Sequence, residues 1–227
     1  MRQDFSIQST GTSLSRSSSA PVWLRVGFWI CIVIAIAVVC RRLVALLHPS
    51  RSGPPQMADL DAFFASHAAL TLAHIVPALF FVLMAAMFYS HRFTGAHWIK
   101  GMLYPLGGVV GITAYAMSVS AVGGWTERSA VLFFNSLFLY SLAQSYGYMR
   151  RGHELLARQW LTRAVGILLG IATTRPVMGV FFATSRLTHL KPDQFFGIAF
   201  WIGFSINTLV VALWLRSGKN RLRPLAG

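Results

Sequence analysis

The chain has 227 residues, of which 55% are hydrophobic and 11% charged, with a formal net charge of +14 and a mean hydropathy of +0.58. An ordinary soluble domain carries about 25% charged residues, so the solvent for most of this chain is lipid. The same figures exclude an intrinsically disordered polymer, and two cysteines without a glycine period exclude a disulfide scaffold and a collagen-like repeat.

A helix crossing a hydrocarbon core of about 30 Å needs roughly 20 mainly apolar residues, and its backbone must bond internally because lipid offers no partner. Windows of that kind predict an all-α fold, a polytopic membrane helix bundle with six transmembrane helices. Residues 1–21 come first, with Ser, Thr, Gly and Arg dominating from Ser9 to Ser19, and read as a disordered cytoplasmic tail. The spans then follow at 22–47, 63–89, 102–122, 130–148, 161–183 and 195–215, and residues 216–227 form a basic cytoplasmic tail. Arg41 and Arg42 directly follow Cys40 where a signal peptide would carry small residues, so the first span is expected to be retained. Cys31 and Cys40 lie nine positions apart on that span, a separation of roughly 13 Å that a disulfide cannot bridge.

With six spans, thirteen Lys and Arg fall on the side of the two termini and six on the other, where four of the six acids also lie. The positive-inside rule therefore places both termini in the cytoplasm, in a bacterial plasma membrane. A basic cytoplasmic face attracts anionic lipid at about 1 kcal/mol per residue, which accounts for the net charge without nucleic acid. Gly107 with Gly111 and Gly166 with Gly170 are G-x-x-x-G pairs that let helix backbones approach. In the fourth span Ser136, Tyr140, Ser141, Gln144 and Tyr148 make a polar stripe, suited to interhelical hydrogen bonds or to lining a cavity.

Ionisable groups at mid-membrane cost about 2.5–3.5 kcal/mol on insertion scales, which makes each a candidate for function. In the second span His67, Thr71 and His74 share one helix face. In the fifth, Arg175 stands in the run Thr173-Thr174-Arg175-Pro176. His74 lies roughly 16 Å and Arg175 roughly 12 Å below the outer edge, so the two sit at comparable depth. No Asp or Glu falls inside a span, so Arg175 is expected to find no carboxylate of its own chain. Either it bonds to carbonyls loosened by Pro77 and Pro176, or it holds an anionic or oxygen-bearing ligand such as a haem propionate, a lipid phosphate or a quinone head. On the cytoplasmic side His97 opens the third span and His153 precedes the fifth. They are either solvated surface residues or, if those helix ends meet, ligands to one haem iron or metal. Walker, dinucleotide, zincin and nucleophile-elbow motifs are absent.

His74-Ile75, then His97, Gly101 and Tyr104 within the run Ser90 to Tyr104, then Gly123-Gly124-Trp125, Arg158-Gln159-Trp160-Leu161-Thr162-Arg163 and Arg175 carry a family resemblance. Over about residues 64–176 the chain resembles the bacterial membrane proteins grouped as domain of unknown function 2306. The chain departs from that pattern at Ala157, where the family has histidine, while His153 stands one turn earlier. The family has no established activity, so the resemblance implies a membrane bundle and a set of residues but no reaction. The expectation is a redox membrane protein binding haem b or quinone, with His74, His97, His153 and Arg175 as its cofactor-binding residues. The alternatives are a transporter of a small anionic or amphiphilic solute and a non-catalytic assembly protein of the membrane.

Overall fold

The computed structural model describes residues 21–47, 55–90, 97–190 and 192–220. Their regular structure is entirely helical: α1 Val22–Leu47, α2 Pro55–Ser66, α3 Ala68–Tyr89, α4 His97–Ser118, α5 Gly124–Arg150, α6 Glu154–Leu168, α7 Gly170–Thr188 and α8 Pro192–Asn220. Four stretches are long and apolar enough to cross a membrane, namely Val22–Leu47, Ala68–Tyr89, Glu154–Ser185 and Asp193–Ser217. Helices α4 and α5 have 22 and 27 residues, long enough to cross, but their glycines, hydroxyls and amides keep them below that apolarity. The expected N-terminal tail and most of the expected C-terminal tail lie outside the described residues.

Two expected spans differ in shape from single helices. The second is broken at His67, whose backbone at φ −117° and ψ 36° is not helical. Beside the break, the Ser66 hydroxyl donates to the Phe63 carbonyl at 2.7 Å and lies 3.0 Å from His67 Nδ1, local bonds that compete with helix continuation. Residues before it belong to the separate helix α2, which contacts α1 and α3. The fifth span is divided at Leu169 between α6 and α7, and the Ala172 amide bonds back three residues to the Leu169 carbonyl at 3.0 Å. Pro176 has no N–H to offer the Ala172 carbonyl one turn back, so this part of the ladder is loose from both ends.

The helices close into a ring. α1 packs on α3, α3 on α4, α4 on α5, α5 on α8, α8 on α7 and α7 on α1, while α6 packs against α5 and α8. Phe81 and Phe138, both fully buried, meet edge to face at 5.7 Å where α3 and α5 approach. The glycine pairs are packing surfaces: Gly107 and Gly111 lie against Leu142 and Leu139 of α5, and Gly166 and Gly170 against Val211 and Phe204 of α8. At Gly203 of α8 the approach is to backbone, and a Cβ would stand 2.6 Å from the Thr174 backbone nitrogen on α7. No side chain can rotate away from that contact, so a methyl there must push the two helices apart. Gly203→Ala is expected to lower stability by about 1–3 kcal/mol, read as a drop in thermal midpoint in detergent. Gly108→Ala, where nothing lies within 4 Å, should leave the midpoint unchanged or raise it.

Candidate functional site

Inside the ring is a cavity of about 250 Å³ to which all eight helices contribute. Most of its wall is aliphatic or aromatic. Its polar lining includes His67, Thr71 and His74, then Arg42, Glu127 and Arg175, with Asn135 on α5. His74 on α3 and Arg175 on α7 thus border one space.

The direction of the His74 bonds follows from its neighbours. Its Nδ1 lies 2.9 Å from Thr113 Oγ1, and that hydroxyl donates to the Val109 carbonyl at 2.7 Å, with the Val110 carbonyl at 3.1 Å. Thr113 has one proton and carbonyls only accept. Thr113 therefore spends its proton on the backbone and accepts from His74, which must carry hydrogen on Nδ1. A largely enclosed imidazole with no bonded carboxylate is the neutral form, so Nε2 is left as a bare acceptor.

Arg175 has the opposite need. Its Nη1 reaches only the Met178 sulfur at 3.8 Å, and its Nε is buried without a hydrogen-bond partner among the described residues. The carbonyls loosened by Pro77 and Pro176 do not receive it. Sequence reasoning gave Arg175 no carboxylate, and no carboxylate bonds to it among the described residues. Glu127 lines the same cavity and interacts electrostatically with the guanidinium, without a direct ion pair among the described residues. Helix α5 begins at Gly124, before the apolar window at 130, and carries Glu127 inward on its first turn. Glu127 Oε2 is held by the Gly123 amide at 2.6 Å.

Two further arginines share one carboxylate near the cavity. Asp61 of α2 pairs with Arg42 at 2.6 Å and with Arg41 at 3.0 Å, and the Arg42 guanidinium lies 4.0 Å from the centre of the Phe64 ring. These contacts fasten α2 to the end of α1. No protein family model, curated protein or solved structure matches this chain. The site is therefore read from its own geometry.

His153 is exposed at the start of α6, its ring 6.3 Å from that of Tyr148, and does not reach the cavity. His97 begins α4, and its side chain lies outside the described residues. Among the described residues no three His, Cys, Asp or Glu groups gather as a metal site. Buried Ala157 offers its carbonyl to Ser145 Oγ at 2.8 Å. Ser145 in turn lies 3.0 Å from the Tyr104 hydroxyl, so the position serves a bond joining α4, α5 and α6. The polar stripe of α5 also joins helices, with Ser136 Oγ 2.7 Å from Tyr115 OH on α4. The cavity face of α5 is instead Val131, Phe134, Asn135 and Phe138, an apolar i, i+3, i+4, i+7 series in which one asparagine was the available signal.

The His74 assignment is open to a direct check. In histidine-¹⁵N-labelled protein, His74 should show a protonated Nδ1 and an unprotonated Nε2, and Thr113→Val should convert it to a mixture of tautomers. A wild-type His74 protonated on Nε2 would contradict the geometry.

Proposed function

We propose that this is a multi-pass membrane protein that binds the ring of a quinone-class molecule in the cavity between His74 and Arg175. The observation that carries the reading is a spare donor, Arg175 Nε–H, and a spare acceptor, His74 Nε2, bordering one apolar cavity. Arg41 and Arg42 share Asp61, and Arg175 faces Glu127, so the cations around the cavity outnumber the carboxylates and an oxygen-bearing guest suits them. Size narrows the guest to one ring. A cavity of about 250 Å³ is smaller than the roughly 300–1,000 Å³ of pockets that enclose drug-sized ligands, which suits a single substituted ring better than a tetrapyrrole. For haem b, the only other imidazole on the cavity wall among the described residues is His67, one helix end from His74 on the same side, so no facing histidine completes an axial pair.

In this reading all of α1, α3, α4, α5, α6 with α7, and α8 cross the membrane. That makes six spans with both termini cytoplasmic, in a bacterial plasma membrane. The polar faces of α4 and α5 are turned to each other and to the cavity, which supports counting them as spans. The resemblance to the family of domain of unknown function 2306 belongs to the same proposal, supported by His74 and Arg175 being at once two of its marker positions and two walls of the cavity.

Binding of a short-chain quinone by the purified protein, followed through tryptophan fluorescence, tests the reading. Trp201 is a suitable reporter because it stacks on Phe133 and meets the cavity residue Phe134 edge-on. A hydrogen bond to a charged group is worth about 1.5–3 kcal/mol, so Arg175→Gln should weaken binding roughly 10- to 150-fold. Adding haemin should produce no axial-histidine absorbance band. Unchanged affinity in Arg175→Gln, or a stoichiometric haem spectrum, would remove the proposal.

A further inference from the structure

The unpaired groups of the cavity are unequal in kind, and the inequality bears on the oxidation state of the guest. Asn135 lines the cavity from α5, and its Nδ2 donates to the Gly111 carbonyl of α4 at 2.8 Å. A carbonyl accepts only, so the amide nitrogen must be the atom on that side and Oδ1 must be the other. Asn135 Oδ1 has no partner among the described residues. His74 Nε2 is likewise a bare acceptor, fixed by the Thr113 and Val109 bonds. Glu127 has one oxygen on the Gly123 amide, and its second is a further acceptor. Against these stand the N–H donors of one guanidinium, Arg175, whose Nε–H is buried and unpaired among the described residues; a donor on the wall cannot satisfy an acceptor across the cavity, so those acceptors need a donor from the guest.

A quinone offers two carbonyl oxygens, both acceptors. It could satisfy Arg175 but would face His74 and Asn135 with lone pair against lone pair. A hydroquinone offers two O–H groups, each able to donate to an acceptor on the wall while its oxygen accepts from Arg175. A site whose polar groups are left unpaired by one of two near-isosteres rejects it strongly. From this we infer that the cavity is selective for the reduced, hydroquinone form, with His74 and Asn135 as the specificity-determining acceptors. The inference rests on the quinone-class reading of the site and adds the redox state of the ligand to it.

The test compares three probes on the full-length protein under anaerobic conditions: a short-chain ubiquinone, the same compound reduced to ubiquinol, and the dimethyl ether of that ubiquinol. The quinol should bind at least tenfold more tightly than the quinone. The dimethyl ether, which keeps the ring and oxygens but has no donor, should bind no better than the quinone, and this arm needs no protein variant. Asn135→Leu and His74→Phe should each narrow the quinol-to-quinone affinity ratio, by weakening quinol binding and relieving the lone-pair repulsion that the quinone meets. Equal binding of quinol and quinone, or retention of quinol-like affinity by the dimethyl ether, overturns the selectivity but leaves the cavity as a quinone site. Failure of all three probes to bind overturns the quinone-class reading itself and the selectivity with it.

Discussion

A guanidinium among aliphatic side chains imposes more on this molecule than any other single group. Burying an unpaired ion is costly enough that the surrounding structure must supply either a counter-charge or hydrogen-bond acceptors. The chain does the first by bringing Glu127 across from the start of α5 to face Arg175 on α7. It does the second only in part, since Nε remains without an acceptor. The geometry of the bundle follows from that arrangement. Helix α5 must begin early enough to carry Glu127 inward. Helix α7 must start afresh at Gly170 so that Arg175 faces the ring's interior, and α8 must hold both by close contact at Gly203 and Gly197.

The cavity persists because the ring is held apart at points where the backbone, rather than a pliable side chain, sets the spacing. Glycines let α4 approach α5 and α8 approach α7 closely, while Phe81, Phe134 and Phe138 fill the core beside the cavity. Membrane helices gain little from apolar contact alone because lipid tails are equally apolar. Close backbone packing and directional hydrogen bonds therefore hold such a ring: Tyr115 with Ser136, Tyr104 with Ser145, Thr173 with Asn207. Each joins two helices, and none depends on the cavity being filled.

Hydrogen-bond direction turns a polar cavity into a selective one. His74 on its own can present either a donor or an acceptor to a ligand. Thr113, acting through its commitment to the Val109 carbonyl, removes that freedom. Gly111 does the same for Asn135. In both cases a main-chain carbonyl, which has no alternative role, fixes the chemistry of a side chain one or two bonds away. The salt bridges of Asp61 to Arg41 and Arg42 join α2 to α1.

Composition and apolar window length were enough to establish an all-helical chain with membrane-spanning segments, because lipid leaves the backbone no other way to satisfy itself. They also singled out His74 and Arg175, since a charged or titratable residue in an apolar run is conspicuous wherever it packs. They did not reveal Glu127, because an apolar window ends at the first acid whereas the helix continues through Gly124. Nor did they reveal Asn135, one position away from the polar stripe that hydrogen-bonds to α4. Sequence spacing fixes which residues share a face of one helix. Which faces meet, which charges offset one another and which end of an imidazole is left bare are relations between helices, and only their packing into a closed ring decides them.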